Sequence, residues 1–376
     1  MKKYAITAFA LTFLVFRTYG GERECLNFIY CSDLHYGLER EFRGGEVSAD
    51  SVSRAMIGAF RLLEDTPLPE DGGVAAGTVY GKPAFVICTG DIANRMEDGV
   101  QPASVSWSRF REDWSSYCII GNQDSPAQDR VPLYLVPGNH DISNAIGYTG
   151  PLEPEKDAAS AAGIWNHNMA ETPCDTIPVG QFDYNVHKTH YSFIRDSVRF
   201  VFMGMWPDSS MRGWYEAETA DSSGFPVLLF THDPPEAEAK HFTNPSGKHD
   251  INDTDKFQNL ISDISSVRYP DMGPEGNWKT LENFIASRPE IRAWFHGDKN
   301  YNEFYIWKGV DGSISLPVFR VDSPMKGEYS SEDETLLSFI AVSVDPHGRR
   351  LTARECLWNA GSAPGITWGK TCTISL

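Results

Sequence analysis

The chain has 376 residues, of which 41% are apolar, 12% aromatic and 22% charged. This is globular composition, long enough for one large domain or two modest ones, and it excludes wholesale disorder and low-complexity architecture. Thirty-three basic against 51 acidic residues give a formal charge of −18, which argues against gripping a nucleic acid polymer or an anionic membrane surface. A phosphate-bearing substrate stays possible if cations supply positive charge locally.

Lys2 and Lys3 precede an apolar run over residues 4–16, interrupted only by threonines. Thr18 and Gly20 are small residues suited to a cleavage site. The pattern predicts a signal peptide over 1–20, cut near Gly20, and so a secreted or periplasmic protein. An uncleaved anchor is the alternative. The run is short for a span, and no later stretch approaches about 18 apolar residues, so stable membrane insertion is not expected. Three basic and no acidic residues fall in 1–20, so 30 basic stand against 51 acidic beyond it, a balance of −21.

Residues 26–31 read as a buried strand ending in Ser-Asp. Apolar residues at helical spacing predict a helix over 49–63. Residues 67–82, with Pro and Gly clusters, read as a loop. Residues 84–88 form a second strand running into Thr-Gly-Asp. A helix is expected over 107–114, then a strand over 132–136 ending in Pro-Gly-Asn-His-Asp. Alternating strands and helices indicate an α/β core. Residues 150–180 read as irregular. A hairpin is expected over 190–205, turning at Arg195-Asp196-Ser197. Another strand, 227–230, runs into Thr-His-Asp. Residues 236–275 are polar and loop-rich, with His241, His249 and a glycosylation sequon at Asn252; they are read either as a substrate-contacting lid or as an ordinary exposed loop. A helix over 278–287 and a strand over 293–295 follow, the latter running into His-Gly-Asp. From Phe304 onward the chain is strand-like, which suggests a second, largely antiparallel sheet.

Seven cysteines are an odd number, so at least one stays unpaired within the chain. Cys31 and Cys88 end apolar runs and read as small buried residues. Cys356 with Cys372, and Cys118 with Cys174, are the candidate pairs. His187 and His190 read as surface residues. Trp206, Trp214, Trp294 and Trp307 read as core in preference to pocket.

Five polar clusters follow the carboxyl ends of the expected strands. They are Asp33-Leu34-His35, Gly90-Asp91, Gly138-Asn139-His140-Asp141, His232, and Gly297-Asp298-Lys299-Asn300. Ligand sites in α/β sheets form at such ends, so the five loops can converge. Their Asp, His and Asn side chains suit Zn, Mn or Fe better than Ca or a thiolate-bound ion. Each cluster alone is more often a turn than a site. Their ordered recurrence after successive strands is not explained by turns.

The ordered series SDLH, GDIANR, GNHD, THD and HGDKN resembles the calcineurin-like metallophosphoesterase superfamily, over residues 28 to about 308. The resemblance implies an α/β fold of two packed mixed sheets flanked by helices, a four-layer αββα sandwich. It would occupy 21–376, with a strand-rich part at about 304–360. It implies hydrolysis of a small phosphate ester, monoester or diester, with two divalent metal ions. In that reading Asp33 and His35 bind the first metal and Asp91 bridges both. Asn139 and His232 bind the second. His140 protonates the leaving oxygen without binding metal, and Asp141 orients it. Asn94 and Arg95 are the candidates for phosphate contact.

The last block departs from the family pattern G-H-x-H. Asp298 falls where a ligand to the second metal is expected, and Asn300 where a histidine ligand to the first is expected. An amide oxygen is a poorer transition-metal ligand than imidazole. Lys299 adds a charge that would repel a metal or bind a phosphate oxygen. His296 could substitute by a register shift. Three outcomes stay open: a retuned metal pair favouring Mn or Mg, one ion held tightly and one only with substrate, or a degenerate binding protein with an incomplete site. The intact GNHD favours a hydrolase.

Overall fold

The computed structural model describes residues 25–94, 101–121, 129–142, 157–220, 224–242, 260–263, 273–345 and 349–376. The expected signal peptide, His249 and the Asn252 sequon lie outside them. Strand β1 (Leu26–Cys31) turns Phe28 and Tyr30 to one side and Ile29 and Cys31 to the other, and all four are buried. A strand that is apolar on both faces must lie inside a stack of layers.

β1 pairs in parallel with β4 (Val86–Cys88), and β4 with β6 (Val131–Leu135). Short β5 (Cys118–Ile119) closes that side. On the other side β13 (Ser338–Asp345), β14 (Arg350–Leu357) and β15 (Thr367–Ser375) add antiparallel strands. The second sheet has the order β11-β12-β10-β9-β8-β7, built from His190–Arg195 (β7), Val198–Met203 (β8), Val227–Phe230 (β9), Ile291–His296 (β10), Glu303–Trp307 (β11) and Leu316–Arg320 (β12). Its four inner strands are parallel and its two edges antiparallel. A separate hairpin joins β2 (Glu39–Phe42) and β3 (Gly45–Ser48).

The sheets pack face to face through aromatic rings. Phe28 meets Phe200 edge-on at 5.6 Å, and Tyr30 meets Phe295 edge-on at 5.2 Å. Each ring so buried contributes about 1.5–3 kcal/mol. Helices cover the outer faces. α1 (Ala49–Glu64) presents Val52, Met56, Phe60 and Leu63 as one stripe, with Asp50 in its first turn and Arg61 in its last, where each complements the helix dipole. With α2 (Ala103–Trp114) it packs on Ile29, Cys31, Val86 and Cys88. α5 (Ser209–Thr219) and α6 (Gly273–Ala286) place Met211, Tyr215, Leu281 and Ile285 on Val201, Met203, Leu229 and Trp294. The order helix, sheet, sheet, helix is the four-layer α/β architecture that the family resemblance implied.

Several expectations are corrected. Residues 159–169, read as irregular, form helix α4 (Ala159–Met169). Their small side chains are a packing surface: a Cβ on Gly163 would fall 2.2 Å from the Trp107 ring of α2. The strands after Phe304 do not make a sheet of their own. β11 and β12 join the second sheet, whereas β13 to β15 widen the first. Helix α5, hairpin β2–β3 and strand β15 were not anticipated. All seven cysteines are free. Cys356 packs among the residues beneath α1, whereas Cys372 packs toward the inter-sheet core, so the β14–β15 ladder puts them on opposite faces. Cys118 is buried while Cys174 is exposed on a short 3-10 turn. His187 and His190 are half-buried rather than exposed; His190 packs on Trp214 at 4.8 Å. Among the described residues no helix is long and apolar enough to cross a membrane.

The wide first sheet is tied to the loop at 67–82 by a fork from a buried arginine to an exposed carboxylate. Arg354 on β14 donates through Nε and Nη2 to both oxygens of Asp71, at 2.7 and 2.8 Å. Hydrogen bonding to this guanidinium holds the Asp71 pKa down at about 2. The depressed value means that the pair stabilises the fold above the unfolded carboxylate range, by about 1 kcal/mol once solvent screening of the largely exposed carboxylate is counted. That stabilisation should fade as the pH falls from about 4 through about 2. Asp71→Ala should cost about 1 kcal/mol in denaturant unfolding at neutral pH, because Arg354 keeps its bond to the Val74 carbonyl when the exposed carboxylate is lost.

Candidate metal centre

The parallel strands of both sheets present their carboxyl ends to one rim. Asp33 and His35 follow β1, Asp91 follows β4, and Asn139 to Asp141 open the single turn α3 (Asn139–Ile142) after β6. His232 follows β9, and Asp298 to Asn300 follow β10. Five of these residues, Asp33, His35, Asp91, Asp298 and Asn300, have left-handed backbone, with φ between 45° and 63°. Strain of this kind persists where the surrounding fold over-determines it and is common at functional sites.

Close approach of the loops depends on two glycines. A Cβ on Gly138 would meet Asp91 Oδ1 at 2.1 Å and the His232 ring at 2.7 Å. One on Gly297 would meet Ser32 Oγ at 2.1 Å and Asp33 Oδ2 at 2.2 Å. The motif glycines therefore bring backbone from one loop against the ligand atoms of another.

Asp91 stands at the centre and is buried. Its Oδ2 lies 3.7 Å from His35 Nε2 and 3.8 Å from His140 Nε2. Its Oδ1 lies 3.5 Å from His232 Nε2 and accepts the backbone N–H of His140 at 2.8 Å. The two oxygens thus serve two neighbouring clusters, His35–Asp91–His140 and Asp33–Asp91–His232, each with ligand atoms within 4.8 Å of one another. His232 Nδ1 donates to the Thr89 carbonyl at 2.7 Å, which aims Nε2 at Asn139 Oδ1, 2.9 Å away. A bond of that kind orients a ligating imidazole.

The donor set fits divalent cations. Asp33 Oδ1 and His35 Nε2 are buried without hydrogen-bond partners. Burial pushes the Asp33 pKa up to about 6. Burial also opposes charge on His232, yet Asp91, Asp33, Asp298 and Asp233 outweigh it and raise that pKa to about 10. The carboxylates make a strongly negative, nearly dry space. Burial and the charge of Lys326 hold the His35 pKa well down, leaving a neutral imidazole. A neutral imidazole nitrogen such as that of His35 beside carboxylate oxygens suits Mn, Fe or Zn.

The altered block divides its roles. Asp298 joins His232 and Asp233 in a third cluster, with Oδ1 3.9 Å from His232 Nε2. Its N–H donates to Asp33 Oδ2 at 3.2 Å. Asn300 donates back to the Asp298 carbonyl at 3.2 Å, and its Oδ1 is buried without a hydrogen-bond partner. Lys299 is spent on carboxylates, 2.5 Å from Glu238 and 3.3 Å from Asp298. His296 does not replace a ligand. It ends β10 with its ring nitrogens 2.8 Å from the Gly297 carbonyl and 3.1 Å from the Tyr305 hydroxyl.

Residues 26–300 match the family model described as calcineurin-like phosphoesterase. The chain belongs to that family. Membership carries metal-dependent phosphoester hydrolysis at family level. Similar solved structures include a dimetal phosphatase from Danio rerio, 11% identical, with a TM-score of 0.49, covering 94% of this chain and 99% of that one. Vps29 from Chaetomium thermophilum is 10% identical, with a TM-score of 0.32, covering 93% of this chain and 98% of that one. No curated protein matches the sequence.

In this calcineurin-like phosphoesterase Asp141 is buried next to His140 in the single turn α3. Its carboxylate accepts from the backbone of Ile92, Ala93 and Gly138 and from Ser160 Oγ. It staples the loop after β4 to the GNHD turn. Arg95 lies outside the described residues. Asn94 is buried, and its Oδ1 accepts from Lys326 Nζ at 2.8 Å. The sequence reading missed Lys326 and Asp233, and it placed His241 in a lid or exposed loop, whereas the residue is buried. Asp233 Oδ2 and His241 Nδ1 are 2.8 Å apart and both buried. The Asp233 signal was present, since it sits beside the singled-out His232; the Lys326 loop follows β12 and carries no motif.

A divalent ion at a hundredfold excess over its Kd should stabilise the protein by about 2.7 kcal/mol. The expected readout is a rise in Tm that chelation reverses. Asp91→Ala should abolish that shift, with the bound metal followed by elemental analysis.

Proposed function

We propose that this chain hydrolyses a small phosphate ester outside the cytoplasm, with two divalent ions in the centre built around Asp91. The observation that carries this reading is that Asp91 Oδ2 faces His35, itself 3.9 Å from Asp33 Oδ1, while Asp91 Oδ1 faces His232. Asp33, His35 and Asp91 would hold one ion. Asp91, Asn139, His232 and Asp298 would hold the other, and Asn300 Oδ1 is the further donor for the first. Ions held there supply the charge that neutralises phosphoryl oxygens and lowers the pKa of an attacking water. His140, 6% exposed and beside Asp91, is the group that gives a proton to the departing oxygen. Asp141 fixes the turn that carries it. Asn94 contacts a phosphoryl oxygen.

A second reading is a binding protein whose metal site has decayed. It is favoured by Asn300, whose amide donates back to its own loop. The test strips the protein, reloads it with Mn, Zn, Fe, Co or Mg, and follows a chromogenic phosphomonoester and phosphodiester. Metal-dependent turnover that falls by about a hundredfold or more in His140→Ala supports the hydrolase. Less than one ion bound per chain with no turnover overturns it in favour of the binding protein. Asp298→His with Asn300→His should raise activity sharply in a decayed site, but should shift metal preference more than rate in a retuned one.

Export rests on the basic and apolar pattern of residues 1–20. N-terminal sequencing of the exported protein should begin at or near Gly21; an intact Met1 would overturn cleavage.

A further inference from the structure

The loop over 321–330 leaves the carboxyl end of β12, on the same rim as the metal-type ligands. It is pinned to both sides of the centre. Ser323 Oγ donates to the Asp33 carbonyl at 2.7 Å and accepts from the Lys326 N–H at 2.9 Å. The Glu328 N–H donates to the Asn300 carbonyl at 2.7 Å, and Arg40 Nη1 donates to the Pro324 carbonyl at 2.7 Å. The half-buried Lys326 is therefore held by a fixed backbone, and its ammonium sits 2.8 Å from Asn94 Oδ1. Its charge is felt at His35. The other lysine beside the centre, Lys299, is turned to Glu238 and Asp298.

We propose that Lys326 is a substrate-binding residue that grips the phosphoryl group together with Asn94 and biases this site toward phosphomonoesters over phosphodiesters. The inference rests on the hydrolase reading above and names its substrate class. A monoester carries nearly two negative charges at neutral pH, because its second pKa is about 6. A diester carries one, and its second ester link replaces one terminal oxygen. An ammonium with three rotatable donors gains more from the extra charge and the extra acceptor of the monoester. An amide such as Asn94 contributes similarly to both.

The test uses the full chain loaded with Mn, comparing wild type, Lys326→Met and Lys326→Arg on p-nitrophenyl phosphate and bis-p-nitrophenyl phosphate. Inorganic phosphate binding is measured in parallel by calorimetry, with metal content and Tm as checks on the fold. Loss of one charged hydrogen bond predicts an about ten- to hundredfold fall in kcat/KM for the monoester in Lys326→Met, against less than about threefold for the diester. Lys326→Arg should recover most of it, and phosphate affinity should fall in step with the monoester. Equal losses on both esters, or unchanged phosphate affinity, would overturn the proposal. If wild type turns over neither ester, the hydrolase reading fails and phosphate binding alone decides. Weaker binding in Lys326→Met at unchanged metal content then keeps Lys326 as a phosphate-gripping residue, and unchanged binding removes it.

Discussion

Loops from two different sheets must bring their donor atoms within a few ångströms of one buried carboxylate, Asp91. Its Oδ1 faces His232 and its Oδ2 faces His35 and His140. That approach requires Gly138 to press its backbone against Asp91 and Gly297 to press against Asp33. It also requires the two sheets to end their parallel strands on the same rim, which the ring-on-ring packing of Phe28, Phe200, Phe230 and Phe295 enforces. A rigid aromatic core lets distant loops be positioned against each other with little freedom.

Burying several carboxylates together is costly. The centre offsets that cost in two ways. Backbone N–H groups of His140 and Asp298 donate to Asp91 and Asp33. The remaining negative field raises His232 and makes the space selective for cations. The left-handed backbone at Asp33, His35, Asp91, Asp298 and Asn300 stores strain of about 1–3 kcal/mol per residue, which the fold must carry elsewhere.

The altered last block changes the charge of the centre more than its shape. Asp298 keeps a ligand-type atom near His232 where an imidazole is the family pattern. Burial would raise its pKa, but His241, Lys299 and His232 outweigh burial and hold it low, so the oxygen stays anionic. Asp233 and His241 stand behind it as a buried pair, and Lys299 links it to Glu238. A wider polar network therefore surrounds one half of the centre. An anionic oxygen in place of imidazole favours harder ions.

Most of the core strands, and the residues Asp33, His35, Asp91, Asn139, His140 and His232, were legible in the chain alone. Buried parallel strands are continuous apolar runs, and their carboxyl-end loops concentrate polar residues in a recognisable order. Helix α4 was illegible because alanine and glycine carry little periodic signal until Trp107 is seen against Gly163. The division of β11–β15 between two sheets was illegible because an alternating strand does not say which neighbour it pairs with. The same limit governs the centre. Residue types and their order determined the class of chemistry, since only certain side chains ligate metals and carry protons. Which oxygen of Asp91 faces which histidine, that Asp141 staples loops, and that Lys326 reaches Asn94 across 232 positions were decided only by the tertiary structure, because these contacts are set by how two sheets pack and not by neighbours along the chain.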